Sequence, residues 1–129
     1  MRGDAIANAA VALIAVGLVA VGAFAIAEPE AAAVMFGVPA QANEARAYIR
    51  ATATRDIAIG CCFLTLLAIG VCRKTLGASL VAVALIPVGD FINVYLNASH
   101  STTALLLHGG SSVAFLVFGV WLWRAGLSR

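Results

Sequence analysis

Four long runs of apolar residues restrict the folds open to this chain. The first run, Ala5–Ala27, is interrupted by only one polar side chain, that of Asn8. About 20 such residues are enough to cross the hydrocarbon core of a bilayer. Charged residues make up only 11% of the 129 residues, against about 25% in soluble domains. The sequence therefore predicts an integral membrane protein.

The runs and the polar residues between them predict a single domain over residues 1–129. We expect an all-α fold, a polytopic four-transmembrane-helix bundle, because each run is long and lacks the alternation of strands. The four helices are expected at about residues 5–27, 44–72, 76–97 and 104–124.

Two further features refine this expectation. A short interfacial helix is predicted between the first two spans, because Pro29 suits a first helical position and apolar residues follow it up to Phe36. Asn43 is expected to cap the second helix. Pro87 predicts a kink in the third helix, since proline cannot donate a backbone hydrogen bond.

The basic residues at the helix ends predict the orientation of the chain. In a four-helix topology, one membrane face carries most of them: Arg2, Arg73, Lys74, Arg124 and Arg129. By the positive-inside rule, we expect a multi-pass protein of the plasma or inner membrane with both termini in the cytoplasm.

Several classes of function lack support in the sequence. The net charge is only +2, and no basic patch indicates nucleic-acid binding. Three cysteines, Cys61, Cys62 and Cys72, fall within the predicted second helix, which indicates neither a disulfide framework nor a metal site. The sequence shows no phosphate-binding loop, dinucleotide motif or Ser-His-Asp spacing. We therefore expect no metal and no cofactor.

The second predicted helix begins with a polar stretch that is unusual for a membrane span. Arg46 and Arg50 are four residues apart and share one face, which we assign to headgroups or a pocket rim. A different arc, expected to face the interior, carries Tyr48, Thr52, Arg55 and Asp56. Ionisable residues inside a membrane are costly and usually face a bundle interior or a cavity.

Three predicted helices place ionisable groups at one depth. At ~1.5 Å per residue, Arg55, Asp90 and His108 each lie about 24–27 Å along their helix from the basic face. Asn93 and Asn97 follow Asp90 on the same helical face. We therefore expect these groups to form one polar layer in the outer third of the membrane.

The polar layer suggests acid–base chemistry, because two aspartates in unlike environments can divide the roles of proton donor and charged partner. Asp56 points about 100° away from Arg55 on an ideal helix, which favours Asp90 as the partner of Arg55. An alternative is that these groups only hold helices together. The candidate catalytic residues are Asp56, Asp90 and His108. The candidate ligand-binding residues are Arg55, Arg50, Tyr48, Thr52, Asn93 and Asn97.

Four motifs in this order resemble a known family. They are Arg46-Ala-Tyr-x-Arg50, Arg55-Asp56-x-x-x-Gly60, Pro87-x-Gly89-Asp90 and His108-Gly109-Gly110. The chain resembles, over nearly its whole length, small four-helix membrane proteins that are grouped as a domain of unknown function. The resemblance implies four transmembrane helices and no established activity.

Three functions remain open on the sequence alone. The first is an intramembrane isomerase or cyclase that acts on a lipophilic small molecule such as an isoprenoid-like compound. The second is a small proton-coupled transporter that works as a dimer, and the third is a non-catalytic lipid-binding or scaffold subunit. The expected partners are membrane lipids and a lipophilic ligand, with a homo-oligomer left open and no nucleic acid.

Overall fold

A computed structural model describes residues 2–38, 42–97 and 101–127, and every regular element in these ranges is an α-helix. The helices are α1 (Arg2–Ala27), α2 (Pro29–Phe36), α3 (Asn43–Ala68), α4 (Arg73–Val83), α5 (Leu85–Asn97) and α6 (Thr102–Ala125). Within the described ranges, four segments are long and apolar enough to cross a membrane: α1, α3, α4 together with α5, and α6. The predicted all-α fold class is confirmed.

The helices belong to two compact units. Unit 1 contains all of α1, all of α3 and most of α2. Unit 2 contains Met35–Val38, which holds the last residues of α2, together with α4, α5 and α6. Folding of residues 1–129 as a single domain stays a prediction.

In unit 1, α1 packs along α3 at glycines that allow the two backbones to approach closely. A β-carbon on Gly22 of α1 would lie 2.6 Å from the carbonyl oxygen of Ala53 in α3. A β-carbon on Gly60 of α3 would likewise lie 2.6 Å from the carbonyl oxygen of Ala15 in α1. Small residues at helix contacts are typical of membrane helix pairs, because close packing replaces the hydrophobic effect as the driving force.

In unit 2, α6 packs against both α4 and α5. The contact with α4 again depends on glycine, since a β-carbon on Gly77 would lie 2.6 Å from the carbonyl oxygen of Gly119. The buried side chains of Leu80 and Leu122 also come from these two helices. Each unit is therefore built on one closely packed helix pair.

The second helix ends earlier than the sequence predicted. Residues up to 72 were expected in it, but α3 ends at Ala68 and Gly70 has a φ of +70°. The N–H groups of Gly70 and Val71 donate to the carbonyls of Leu67 and Leu66, at 3.1 and 3.2 Å. These two bonds form a Schellman motif, which needs a left-handed residue that glycine adopts at low cost.

The start of α3 also differs by one residue from the prediction. Ala42, in an extended conformation, occupies the capping position, and no side chain caps this helix end. Asn43, the predicted cap, lies inside α3, and its side-chain oxygen accepts a hydrogen bond from Arg46 instead.

Pro87 was expected to kink the third span, but the span is divided into two helices, α4 and α5. The helix breaks at Ala84, between α4 and α5. Pro87 has no N–H to donate to the carbonyl of Val83, and its ring crowds that carbonyl. The helix resumes at once, with the N–H of Val88 donating to the carbonyl of Ala84 at 3.2 Å.

Candidate functional site

The ionisable side chains singled out in the sequence lie at three places. Unit 1 contains an open pocket near the ends of α1 and α3, and an arginine–aspartate pair farther along α3. Unit 2 contains a group of residues around His108.

The first place, which we call the rim pocket, has a volume of about 610 Å³. Its polar lining comes from Glu28, Glu30, Asn43, Arg46 and Arg50. Arg46 donates hydrogen bonds to both Glu30 and Asn43. Arg50 donates from Nε to the carbonyl oxygen of Ile26 at 3.4 Å, near the C-terminal end of α1. A cation there is favourable because the last helical carbonyls lack helical partners.

The second place is the Arg55–Asp56 pair, a contact that the side-chain directions of an ideal helix did not favour; pairing of Arg55 with Asp90 stays a prediction. Oδ1 of Asp56 accepts from Nε of Arg55 at 3.1 Å and lies 3.0 Å from its Nη2. On an ideal helix the two side chains leave the axis about 100° apart, but the long, flexible stem of arginine allows its guanidinium to fold back onto the next residue. The Asp56 side chain is 17% exposed and that of Arg55 is 38% exposed.

Two other candidates on α3 differ in exposure, since Tyr48 does not lie in a packed interior and Thr52 is half-buried. Tyr48 is 71% exposed. The hydroxyl of Thr52 donates to the carbonyl of Ile49 at 2.8 Å, within its own helix. Such bonds to the preceding turn are common for helical threonine and occupy the hydroxyl.

The third place, the histidine cluster, comprises Phe36, Phe91, His108 and Gly109, and Asp90 directly precedes Phe91 in α5. Nε2 of His108 lies 3.3 Å from the carbonyl oxygen of Phe36, and the two rings are 6.0 Å apart between centroids. A carbonyl oxygen can only accept, so Nε2 carries the proton in this contact. When the imidazole is neutral, the lone pair is therefore on Nδ1.

Gly37 holds the carbonyl of Phe36 in reach of His108. It is buried, has a φ of +79°, and a β-carbon on it would lie 2.7 Å from Cβ of Ala104 in α6. Val94 of α5 is its next neighbour, at 3.3 Å. Glycine is therefore needed here both for the left-handed backbone and for the close approach to α6.

Asp90 and His108 lie at one level of unit 2. The ring of Phe91 packs beside Gly109, at 3.3 Å from the position of a β-carbon there. Asp90 and His108 are the chain neighbours of these two residues, and both are half-buried. Asn93 is exposed, and the side chain of Asn97 lies outside what the structure describes.

The serines that follow His108 are occupied within α6. The hydroxyl of Ser111 donates to the carbonyl of Leu107, and that of Ser112 to the carbonyl of His108, each at 2.7 Å. Within residues 2–38, 42–97 and 101–127, no group of three or more His, Cys, Asp or Glu side chains is placed to hold a metal ion.

Cys72 was predicted to lie in the second helix, but it is the exposed capping residue of α4. Its Sγ lies 3.3 Å from the hydroxyl of Thr75. This hydrogen bond, with smaller contributions from the backbone at Thr75 and Lys74, lowers the pKa of the Cys72 thiol below its ordinary value.

The contribution of the α2 end to the histidine cluster was not predicted from the sequence. Phe36 was placed only on the apolar face of an interfacial helix, and Gly37 was expected only to end that helix. The signal available was a glycine directly after a short apolar helix, which is typical of a left-handed helix end. Nothing local indicated that this end meets a residue 72 positions away.

Comparison with known proteins places the chain in a family. Residues 15–122 match the family model of a domain of unknown function, DUF4267. The chain belongs to this family. The resemblance inferred from the motifs is thereby confirmed. No curated protein and no solved structure matches the chain. The protein is thus a small helical member of DUF4267 with four candidate membrane helices.

Proposed function

We propose that this protein binds a lipophilic small molecule in the membrane and transforms it by acid–base chemistry at the histidine cluster. The observation that carries the proposal is the hydrogen bond from Nε2 of His108 to the carbonyl of Phe36. This bond fixes the ring and its tautomer, so that Nδ1 is the basic atom. A histidine held in this way is suited to accept a proton.

Asp90 is the proposed proton donor. In its carboxyl form it would deliver a proton to one carbon of a double bond, and Nδ1 of His108 would remove a proton from the saturated carbon bonded to the other alkene carbon. The double bond thereby moves, and no oxidant, reductant or second substrate is required. The two side chains return to their starting forms when a proton passes from His108 to Asp90, directly or through water. An isoprenoid-like compound has the alkene and the lipid solubility that this chemistry requires.

A purely structural role for these residues makes a different prediction. Polar contacts between membrane helices are worth about 0.6 kcal/mol on average. If His108 only anchors the end of α2, a variant with another hydrogen-bond donor at this position should keep the stability and the activity of the wild-type protein. Glutamine supplies an amide N–H for the Phe36 carbonyl but no basic nitrogen.

The test measures proton exchange. Membranes that contain wild-type protein, Asp90→Asn, His108→Gln or Ser111→Ala are incubated in deuterium oxide, and the extracted lipids are analysed by mass spectrometry. Acid–base chemistry at carbon should place deuterium in one lipophilic compound in the wild-type and Ser111→Ala samples. Ser111→Ala is a matched control, because its hydroxyl is bonded within α6. Asp90→Asn and His108→Gln should lose this exchange while the protein remains folded.

Thermal unfolding of the same purified variants completes the test. Wild-type-like melting together with lost exchange would support the proposed chemistry. Exchange in His108→Gln equal to wild type, or no compound exchanged by the folded wild-type protein, would overturn it.

A further inference from the structure

The rim pocket has no role in the chemistry proposed above. We propose that it binds a phosphoethanolamine headgroup, with the phosphate on Arg50 and the primary ammonium on Glu28. This inference concerns unit 1 alone and does not rest on the histidine cluster.

The position of the rim pocket matches the depth of lipid headgroups. Glu28 follows directly after the candidate span Ala5–Ala27, and Asn43 is the first residue of the candidate span Asn43–Ala68. Residues at the ends of two adjacent spans lie where the hydrocarbon core gives way to the polar headgroup region. The pocket is open and its volume is about 610 Å³, in the range of small-molecule sites.

The charges that line the pocket favour a ligand that carries both signs. Two glutamates and two arginines line it, so its formal charge is balanced. Arg46 and Glu30 already form an ion pair. Arg50, by contrast, has its one described hydrogen bond to a backbone carbonyl, and no side-chain bond of Glu28 occurs among the described residues. One cation and one anion are therefore available to a ligand.

The type of charged group can be narrowed further. A guanidinium binds phosphate oxygens in a forked geometry. A carboxylate accepts hydrogen bonds from a primary ammonium, which has three N–H donors, as a lysine side chain does. A choline headgroup has no such donor, and proteins usually recognise its quaternary ammonium with aromatic side chains. The residues that line the rim pocket include no aromatic one. An ethanolamine headgroup therefore fits better than choline, and better than a purely anionic headgroup.

The experiment compares lipids that differ only in the headgroup. Purified full-length protein is mixed with equal amounts of phosphatidylethanolamine, phosphatidylcholine and phosphatidylglycerol of the same acyl chains, and the retained lipids are counted by native mass spectrometry. We expect phosphatidylethanolamine to be retained about tenfold over the other two, since one charge-assisted hydrogen bond is worth roughly that factor.

Two variants and two matched controls assign the roles. Glu28→Gln should reduce the preference for phosphatidylethanolamine to about twofold or less, and Arg50→Gln should lower retention of all three lipids. Glu44→Gln and Arg124→Gln remove the same charges from residues that do not line the pocket, and they should behave as wild type. Equal retention of the three lipids by wild type, or equal losses in the control variants, would overturn the proposal.

A soluble headgroup distinguishes the source of the ligand. Glycerophosphoethanolamine is added as a competitor at millimolar concentration. Competition would show that the headgroup chemistry alone is recognised, which supports the site for either a lipid or a free phosphoethanolamine compound. Retention of the lipid without competition would support the site for the lipid in particular. Binding of neither the lipid nor the soluble compound would overturn the proposal.

Discussion

The two units of this protein share one packing device and differ in how their polar side chains are held. Each unit contains a helix pair, α1 with α3 or α4 with α6, whose backbones meet at glycines. In unit 1, charged side chains bind one another, as in the pairs Arg46–Glu30 and Arg55–Asp56. In unit 2, His108 binds a backbone carbonyl instead.

This difference matters for chemistry. An ion pair fixes two side chains against each other and uses the charge of both. A hydrogen bond from one edge of an imidazole to a backbone carbonyl orients the ring and keeps the opposite nitrogen for a ligand. In the two proposals made above, unit 1 accordingly recognises charge and unit 2 moves protons. Substitutions at the packed glycines should lower the stability of either unit, whereas the effect of a substitution that changes a charged or polar group should depend on the unit.

The largest effects should come from the packing that the units share. In Gly77→Ala the new β-carbon would overlap the backbone nitrogen of Trp123, and its three nearest neighbours are all backbone atoms. In Gly22→Ala, the nearest atom is also a backbone atom, the carbonyl oxygen of Ala53 at 2.6 Å, but one of the three neighbours is a side-chain atom, Cγ1 of Ile57. We expect Gly77→Ala to lose about 3 kcal/mol, the upper end for an overpacked site, and Gly22→Ala about 1–3 kcal/mol. Thermal unfolding in detergent, followed by circular dichroism, measures both.

Glycines with open surroundings provide the controls for this prediction. Gly17 of α1 and Gly110 of α6 would meet nothing within 4 Å of a new β-carbon. Alanine at either position should leave stability unchanged or raise it by up to about 1 kcal/mol, because alanine favours the helix. If Gly77→Ala melts at the same temperature as Gly110→Ala, the close approach of α4 and α6 is wrong.

A smaller effect is expected from the charge pair of unit 1. Arg55→Ala removes the guanidinium from Asp56, a side chain that is only 17% exposed. We expect a loss of about 1–2 kcal/mol, less than for a fully buried pair because Arg55 is itself 38% exposed. The measurement is a double-mutant cycle of Arg55→Ala and Asp56→Asn in detergent. Strictly additive losses would show that the pair contributes nothing through its direct contact.

The smallest effect on stability is expected at Cys72, the first residue of the longer segment of unit 2. Its thiol is exposed, so Thr75→Val should leave the melting temperature unchanged. The chemical effect should be clear, because Thr75 lowers the pKa of this thiol and so increases its thiolate fraction at pH values below the ordinary pKa. In a Cys61→Ser, Cys62→Ser background, alkylation by a membrane-impermeant maleimide should become slower at neutral pH when Thr75 is replaced. The pH at which the alkylation rate is half-maximal should move upward.

The same reagent tests the predicted orientation. If both termini are cytoplasmic, Cys72 is on the cytoplasmic side as well, next to Arg73 and Lys74. Intact cells should then leave Cys72 unlabelled, and opened cells should label it. Labelling in intact cells would reverse the orientation.

The sequence predicted the fold because apolar runs of membrane length admit few alternatives, and each of the four runs corresponds to a candidate span. It predicted features that depend on single backbone positions less well: it missed the end of α3 at Ala68 and expected only a kink where Pro87 breaks the third span. The end of α3 follows from Gly70 and the break at Ala84 from Pro87, and both residues interrupt a helix without interrupting its apolar pattern.

The candidate sites were harder to predict. Side-chain directions on an ideal helix placed Asp56 away from Arg55, because periodicity describes where a side chain begins and not how far a flexible one can turn. The contact between His108 and Phe36 spans 72 positions and joins a helix interior to a helix end. Neither end of such a contact carries a local signal of the other.

The break at Ala84 has a consequence for how the protein enters its membrane during synthesis. The two pieces of the third span have 11 and 13 residues, or roughly 17 and 20 Å at ~1.5 Å per residue. Neither piece alone can cross a hydrocarbon core of about 30 Å. Insertion machinery must therefore accept both as one segment on the strength of their combined apolar character. A Pro87→Ala variant that joins α4 and α5 into one continuous helix would be inserted in the same way as the natural chain.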